Sequence, residues 1–237
     1  MSNSSLISGT LLSNNCTKPR TGKIDNITIH CFVGQVTGKR GCEVFQPSSK
    51  QASANYVIGK DGDIWLCVEE KNRAWTTGGS YTVNGETGKM NDQHSVTIEV
   101  ASDTTKPYKV TDAAYKSLIK LVADIAKRNN MGRLKWKGDK SLVGKTDQQN
   151  MTVHRWFAAK ECPGDYLYER MGDIADKANE INYTTEVEYM DQVKPARWAE
   201  EAWEFCKSKG WMDGTRPEDP VTRQELATVI FRIHNKE

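Results

Sequence analysis

The sequence predicts an α/β chain that ends in a smaller, all-helical module, and three observations carry that reading. Short segments alternate polar and apolar residues, as strands with one buried face do. At Thr111 the apolar period changes to three and four, the signature of an amphipathic helix. A polar, acidic stretch from Asn182 to Lys194 then separates this body from two further apolar stripes, which sets domains at residues 1–182 and 183–237.

The elements follow in order. Residues 1–22, rich in Ser, Asn, Thr and Gly, are expected to wrap over the surface. A first strand covers 24–33, and the polar stretch 34–52 with its Gly and Pro reads as a long loop. Tyr56–Ile58 and Ile64–Val68 are strands joined by Lys60-Asp61-Gly62-Asp63, which has hairpin-turn chemistry. A glycine-containing loop from Thr76 to Gln93 leads to a strand over Ser95–Ala101. Thr111-Asp112 caps a helix whose Ala114, Leu118, Leu121, Val122 and Ile125 share one face, and it ends near Asn129-Asn130-Met131-Gly132. The segment Gln149–His154 is a strand, and a second helix spans Tyr166–Ile181. Beyond Pro195, Trp198, Ala202, Phe205 and Cys206 stripe one helix, Gly210–Gly214 breaks it, and Thr222 and Glu225 form a capping box for another.

Two of these strands share a local pattern. Alternation sends Ile27 and Ile29 one way and Thr28 and His30 the other; likewise Met151 and Val153 oppose Thr152 and His154. Cys162 follows eight residues after His154. Two imidazoles and a thiolate form a three-ligand set for Zn²⁺ that leaves a fourth position for water. A single histidine is more often a hydrogen-bonded structural residue, but the repeated pattern together with the Cys162-Pro163-Gly164 segment favours the metal. Cys31, on the face opposite His30, reads as a buried core thiol. Thr97 and Glu99 share a face, so the Glu99 carboxylate is either a general base or a group that orients a ligand.

At Ile27–His30, Ala54–Ile64, Arg73–Gly78, Ser95–Glu99, Val153-His154 and Lys160-Glu161-Cys162-Pro163-Gly164 the chain resembles the zinc-dependent N-acetylmuramoyl-L-alanine amidases. Peptidoglycan recognition proteins and phage endolysins share their fold. The stretches occur in family order over about residues 20–180. The resemblance implies a mixed central sheet flanked by helices, one Zn²⁺ on His30, His154 and Cys162, and cleavage of the amide between N-acetylmuramic acid and L-alanine in peptidoglycan. It implies catalytic assistance from Tyr56, Glu99 and Lys160, and substrate contact through Trp75 and Thr77. Asn55 stands where the family usually carries histidine. The tail resembles one surface-layer-homology repeat in Trp198-Ala199, Gly210-Trp211-Met212-Asp213-Gly214 and Thr222–Ala227. That likeness implies a secondary cell-wall polymer as a partner, contacted by Arg223, and a Gram-positive target. A lone repeat cannot bury its own apolar face, so the module is expected to dock on the amidase or to associate into a homo-oligomer.

Composition bounds the rest. A net charge of +2 without a concentrated basic stripe argues against a nucleic-acid partner. No apolar run approaches the length of a membrane span. The first residues lack the basic and apolar regions of a signal peptide, and six dispersed cysteines fit a reducing compartment. The expectation is an endolysin or autolysin made in the host cytoplasm and acting at the wall after release. The rival readings are a non-catalytic peptidoglycan-binding recognition protein and a zinc peptidase cutting within the stem peptide. The second lacks any His-Glu-x-x-His helix.

Overall fold

The computed structural model describes residues 2–83, 86–184, 197–211 and 223–234. The chain forms two compact units, Met1–Asn182 and Tyr183–Glu237. The strands are β1 (Gly9–Thr10), β2 (Cys16–Thr17), β3 (Asn26–Val33), β4 (Tyr56–Ile58), β5 (Ile64–Leu66), β6 (Arg73–Ala74), β7 (Ser80–Val83), β8 (Glu86–Met90), β9 (Ser95–Ser102) and β10 (Met151–Val153). The first unit's helices are α1 (Gly38–Val44), α2 (Asn91–His94), α3 (Asp112–Arg128), α4 (Gly164–Tyr168) and α5 (Met171–Tyr183). The second unit's are α6 (Glu200–Ser208) and α7 (Arg223–His234).

Six strands make one mixed sheet in the order β1-β5-β4-β9-β3-β10. Only β4 and β5, joined through the tight turn at Gly62, are antiparallel; the other pairings are parallel. One face is apolar. Ile27, Ile29, Ile98, Val100, Met151 and Val153 pack there with Leu118, Leu121 and Ile125 of α3 and Met171 and Ile174 of α5. Thr111 caps α3 by accepting from the Ala114 N–H, as its position predicts. Across the sheet, Val57 packs with Cys42, Phe45, Ala54 and Cys67 beneath α1.

Three expectations are corrected. The stretch 34–52 is not all loop, because α1 forms within it, capped by Thr37. Its signal is hidden by Gly38 and Gly41, which let the helix lie directly on the sheet: a Cβ at Gly41 would stand 2.5 Å from Val57 Cγ1. The stretch 76–93 contains the β7–β8 hairpin and the turn of helix α2. The single helix expected over Tyr166–Ile181 is two, α4 and α5, although Leu167, Met171, Ile174 and Ala178 are all buried as one stripe. The tail loop at 212–222, with Thr222 and most of the surface-layer-like motif, lies outside the described residues, as does the Arg223 side chain. Among the described residues no helix is long and apolar enough to cross a membrane.

The amino-terminal segment is tied to this body. Its β1 adds an edge strand to β5, and the Ser4 N–H donates to the Tyr56 hydroxyl at 2.8 Å. That hydroxyl donates to Glu70 Oε1 at 2.6 Å. Glu70 is fully buried and takes both Nη atoms of Arg128, at 2.7 and 3.1 Å. Arg128 also keeps Asp124 at 2.8 Å. Removing Glu70 thus loses the charge-assisted hydrogen bonds from Tyr56, Arg128 and Asn129, about 3–5 kcal/mol together, whereas one hydrogen bond is worth about 1. In urea denaturation Glu70→Ala should therefore lose about 3–5 kcal/mol and Tyr56→Phe about 1. Equal losses would mean that the buried pair does not hold the segment.

Candidate metal centre

The site is built where β10 stops. It pairs only with Ile27, Thr28 and Ile29 of β3. Ile27 donates its N–H across that edge to the Asn150 carbonyl at 3.1 Å, and in a parallel ladder every second residue does so. Cys31 is next but one in this series. Past Val153 the chain leaves the ladder in a 3-10 turn, His154–Trp156, so no strand carbonyl meets Cys31. Its N–H donates instead to Cys162 Sγ at 3.4 Å. The loop that brings this sulfur is anchored by Arg155 N–H, which donates to the Cys162 carbonyl at 3.0 Å.

From the strand edge the sulfur meets His30 Nδ1 at 3.4 Å. The rings of His30 and His154 lie 5.0 Å apart. One donor atom each from His30, His154 and Cys162 fall within 4.8 Å of one another. Bonds of about 2.0 Å to nitrogen and about 2.3 Å to sulfur at a tetrahedral ion separate the two donors by about 3.6 Å. The N–S pair already stands at that spacing, so the donor set fits zinc. His30 Nε2 and Glu99 Oε2 are buried here without a hydrogen-bond partner, an arrangement that calls for a further group in the site.

Burial, followed by the neighbouring His154, holds His30 well below the usual imidazole range. Burial also lowers His154; Asp92 opposes this and Lys160 reinforces it. Neutral imidazoles are the metal-binding form. A hydrogen bond with the Cys31 thiol, burial and the Glu99 charge push the Cys162 thiol well up; a bound dication would reverse this.

The remaining candidates separate. Glu99 stands beside His30 in the β3–β9 register and beside Val57 in the β9–β4 register, so its side chain is on the His30 face. Burial pushes its carboxyl up to about 7, with Lys50 opposing. Lys160 is exposed and close enough to depress His154. Tyr56 is corrected. It pairs with Ile98, on the opposite face from Glu99, is fully buried, and spends its hydroxyl on Glu70. Thr77 is buried, and its hydroxyl accepts from Asn91 at 3.3 Å. Trp75 is half-buried with its indole N–H donated to Thr17 at 2.9 Å. Cys31 is buried as expected, but its thiol meets Cys162. Sequence reasoning passed over Asp92. Its Oδ2 accepts from the N–H groups of Thr76, Thr77 and Gly78, and its charge acts on His154.

A family profile described as N-acetylmuramoyl-L-alanine amidase matches residues 20–165. The chain belongs to that amidase family. The matched span holds His30, Glu99, His154, Lys160 and Cys162, and ends before the second unit begins. Comparison with curated proteins gives no match. Among solved structures, the amidase-family unit is similar to the selenomethionine derivative of AmpD, with TM-score 0.53, 19% identity, and coverage of 73% of this chain and 96% of that one. PlyL gives 0.52 at 14%, covering 71% and 94%. Drosophila peptidoglycan recognition protein SD gives 0.50 at 16%, covering 70% and 93%. At these identities the likeness establishes the fold.

The raised Glu99 carboxyl has a thermodynamic consequence. The folded chain holds this proton more tightly than the unfolded one, so stability is lost as pH rises from about 4.5 through about 7. That shift corresponds to roughly 3 kcal/mol at most. In chelator-treated protein, Glu99→Gln should unfold at higher urea than the parent above pH 7, and the two should converge near pH 4. A gap independent of pH would place Glu99 in a different environment.

Proposed function

We propose that this protein is a zinc-dependent peptidoglycan amidase that cleaves between N-acetylmuramic acid and L-alanine. The observation that carries the reading is the convergence of His30, His154 and Cys162 donors within 4.8 Å, inside the span matched by the amidase family. His30 and His154 would hold the ion as neutral imidazoles and Cys162 as thiolate. The ion, when bound, polarises the amide carbonyl and lowers the pKa of water. Glu99, on the same sheet face as His30, accepts the proton of the attacking water and returns it to the departing L-alanine nitrogen. The Lys160 ammonium stabilises the oxyanion as the carbonyl is attacked. Trp75 lines the groove for the stem peptide.

The second unit, on this reading, serves wall binding or self-association. Trp198 is 90% exposed, and Leu226 and Ile230 are more than half exposed, an apolar surface that wants a partner. The enzyme then meets Gram-positive peptidoglycan at the wall after release from the cell that made it.

Purified walls should yield new L-alanine amino termini and free muramoyl lactyl groups. New termini within the stem peptide would reassign the chain to the peptidases, and intact walls with bound protein would make it a recognition protein. His30→Ala and Cys162→Ala should lose zinc in elemental analysis together with turnover. Glu99→Gln should keep zinc and lose about 10²–10⁴-fold in kcat, the usual weight of a general acid–base group. Full activity in Glu99→Gln would remove it from the chemistry.

A further inference from the structure

We infer that Cys31 and Cys162 form an oxidative modification site: in the metal-free chain a peroxide links them as a disulfide, and this removes the sulfur ligand of the metal centre. The inference rests on the metal reading only for its consequence, since the pairing itself is a property of the two cysteines.

Four observations carry it. Cys31 N–H donates to Cys162 Sγ at 3.4 Å, so the sulfur lies at the edge of β3 and not on one face. From that edge it reaches His30 Nδ1 at 3.4 Å on one side. The Cys31 thiol, which alternation directs to the other side, is the neighbour that acts most on the Cys162 thiol. Cys162 is partly accessible while Cys31 is 8% exposed. An oxidant therefore meets Cys162 first, with a second thiol already against it. The chain offers a contrast in Cys42 and Cys67. Those two pack in one core cluster and act on each other's thiols, but both are fully buried. That pair has proximity without access.

The chemistry balances with a peroxide, ROOH, as two-electron oxidant. The Cys162 sulfur attacks the outer oxygen, the O–O bond breaks, and ROH leaves with the thiol proton. The resulting sulfenic acid is attacked by the Cys31 sulfur. The S–S bond forms, the S–O bond breaks, and hydroxide departs with the Cys31 proton as water. A dithiol reductant returns the two electrons and restores both thiols. The attacking species is the thiolate, so the reaction quickens as pH rises. A cation sharing the charge of the Cys162 thiolate would make it a poorer nucleophile, and once cross-linked the sulfur is no longer a thiolate that could hold the ion.

The test uses the full chain, chelator-treated or zinc-loaded, with hydrogen peroxide in mildly alkaline buffer. Thiols titrated after denaturation should fall from six to four in the metal-free sample. The intact mass should drop by two hydrogens, with peptides containing Cys31 and Cys162 joined until dithiol is added. The zinc-loaded sample should lose its thiols more slowly. Cys31→Ala, which retains the backbone N–H, should give no cross-link and should gain oxygen on Cys162 that dithiol does not fully remove. Six remaining thiols in the metal-free chain, or a bond mapped to Cys42 and Cys67, would overturn the inference. The metal reading fails separately: a Cys31–Cys162 link that forms equally fast with zinc present leaves the pairing intact but removes Cys162 from the ion.

Discussion

The site depends on a sheet ladder that stops early. β10 contributes three residues against the eight of β3. Beyond them a backbone donor that would ordinarily meet a strand carbonyl meets a sulfur. An unmet buried N–H costs about 1–3 kcal/mol. The fold thus carries a standing preference for the loop that brings Cys162 to this point, independent of any ion. The same early stop frees His154 to turn out of the strand toward His30. The placing of His154 and of Cys162 beside His30 follows from one shortened strand.

The rest of the sheet supports this by dividing its faces. The apolar face is packed by α3 and α5, which fixes the strand positions and hence the register that sets Glu99 beside His30. Behind the histidines the other face is buried yet polar: Asn26, Thr28, Ser95 and Thr152 hydrogen-bond among themselves, and Asn91 joins them. Each such group would be costly if unmet, so the network holds together as a set or not at all. It leads up the sheet to His30 and His154, two residues beyond Thr28 and Thr152. The alternation that buries isoleucines on one side delivers this polar column on the other.

The legible part of the molecule was the part governed by a clear period. The helix from Thr111 and the strands of His30, Glu99 and His154 follow from spacing, because each of those segments has one apolar and one polar face; Cys162, on a loop, was legible only through the family resemblance. Tyr56-Val57-Ile58 is apolar throughout and both its faces are buried, so alternation cannot assign a side. The pairing Val57↔Glu99 assigns it, turning Tyr56 away from the His30 face toward Glu70. Helix α1 escaped for a related reason: glycines at its contact face replace the apolar stripe that announces a helix. Asp92 carries no local signal, since its role comes from the loop at Thr76–Gly78 folding back onto its carboxylate.

Cys31 shows where residue patterns stop being sufficient. Alternation correctly separates it from His30, and within a continuous sheet that would isolate it from the candidate metal site. At a strand edge the separation fails, because a group beyond the edge is adjacent to both faces at once. Cys162 occupies such a position, in contact with an imidazole on one side and a thiol on the other. Edge positions expose unpaired backbone groups that other chemistry can capture. Here the captured group is a sulfur whose lone pairs can serve an ion or a second sulfur, and the geometry of the edge makes the two uses compete.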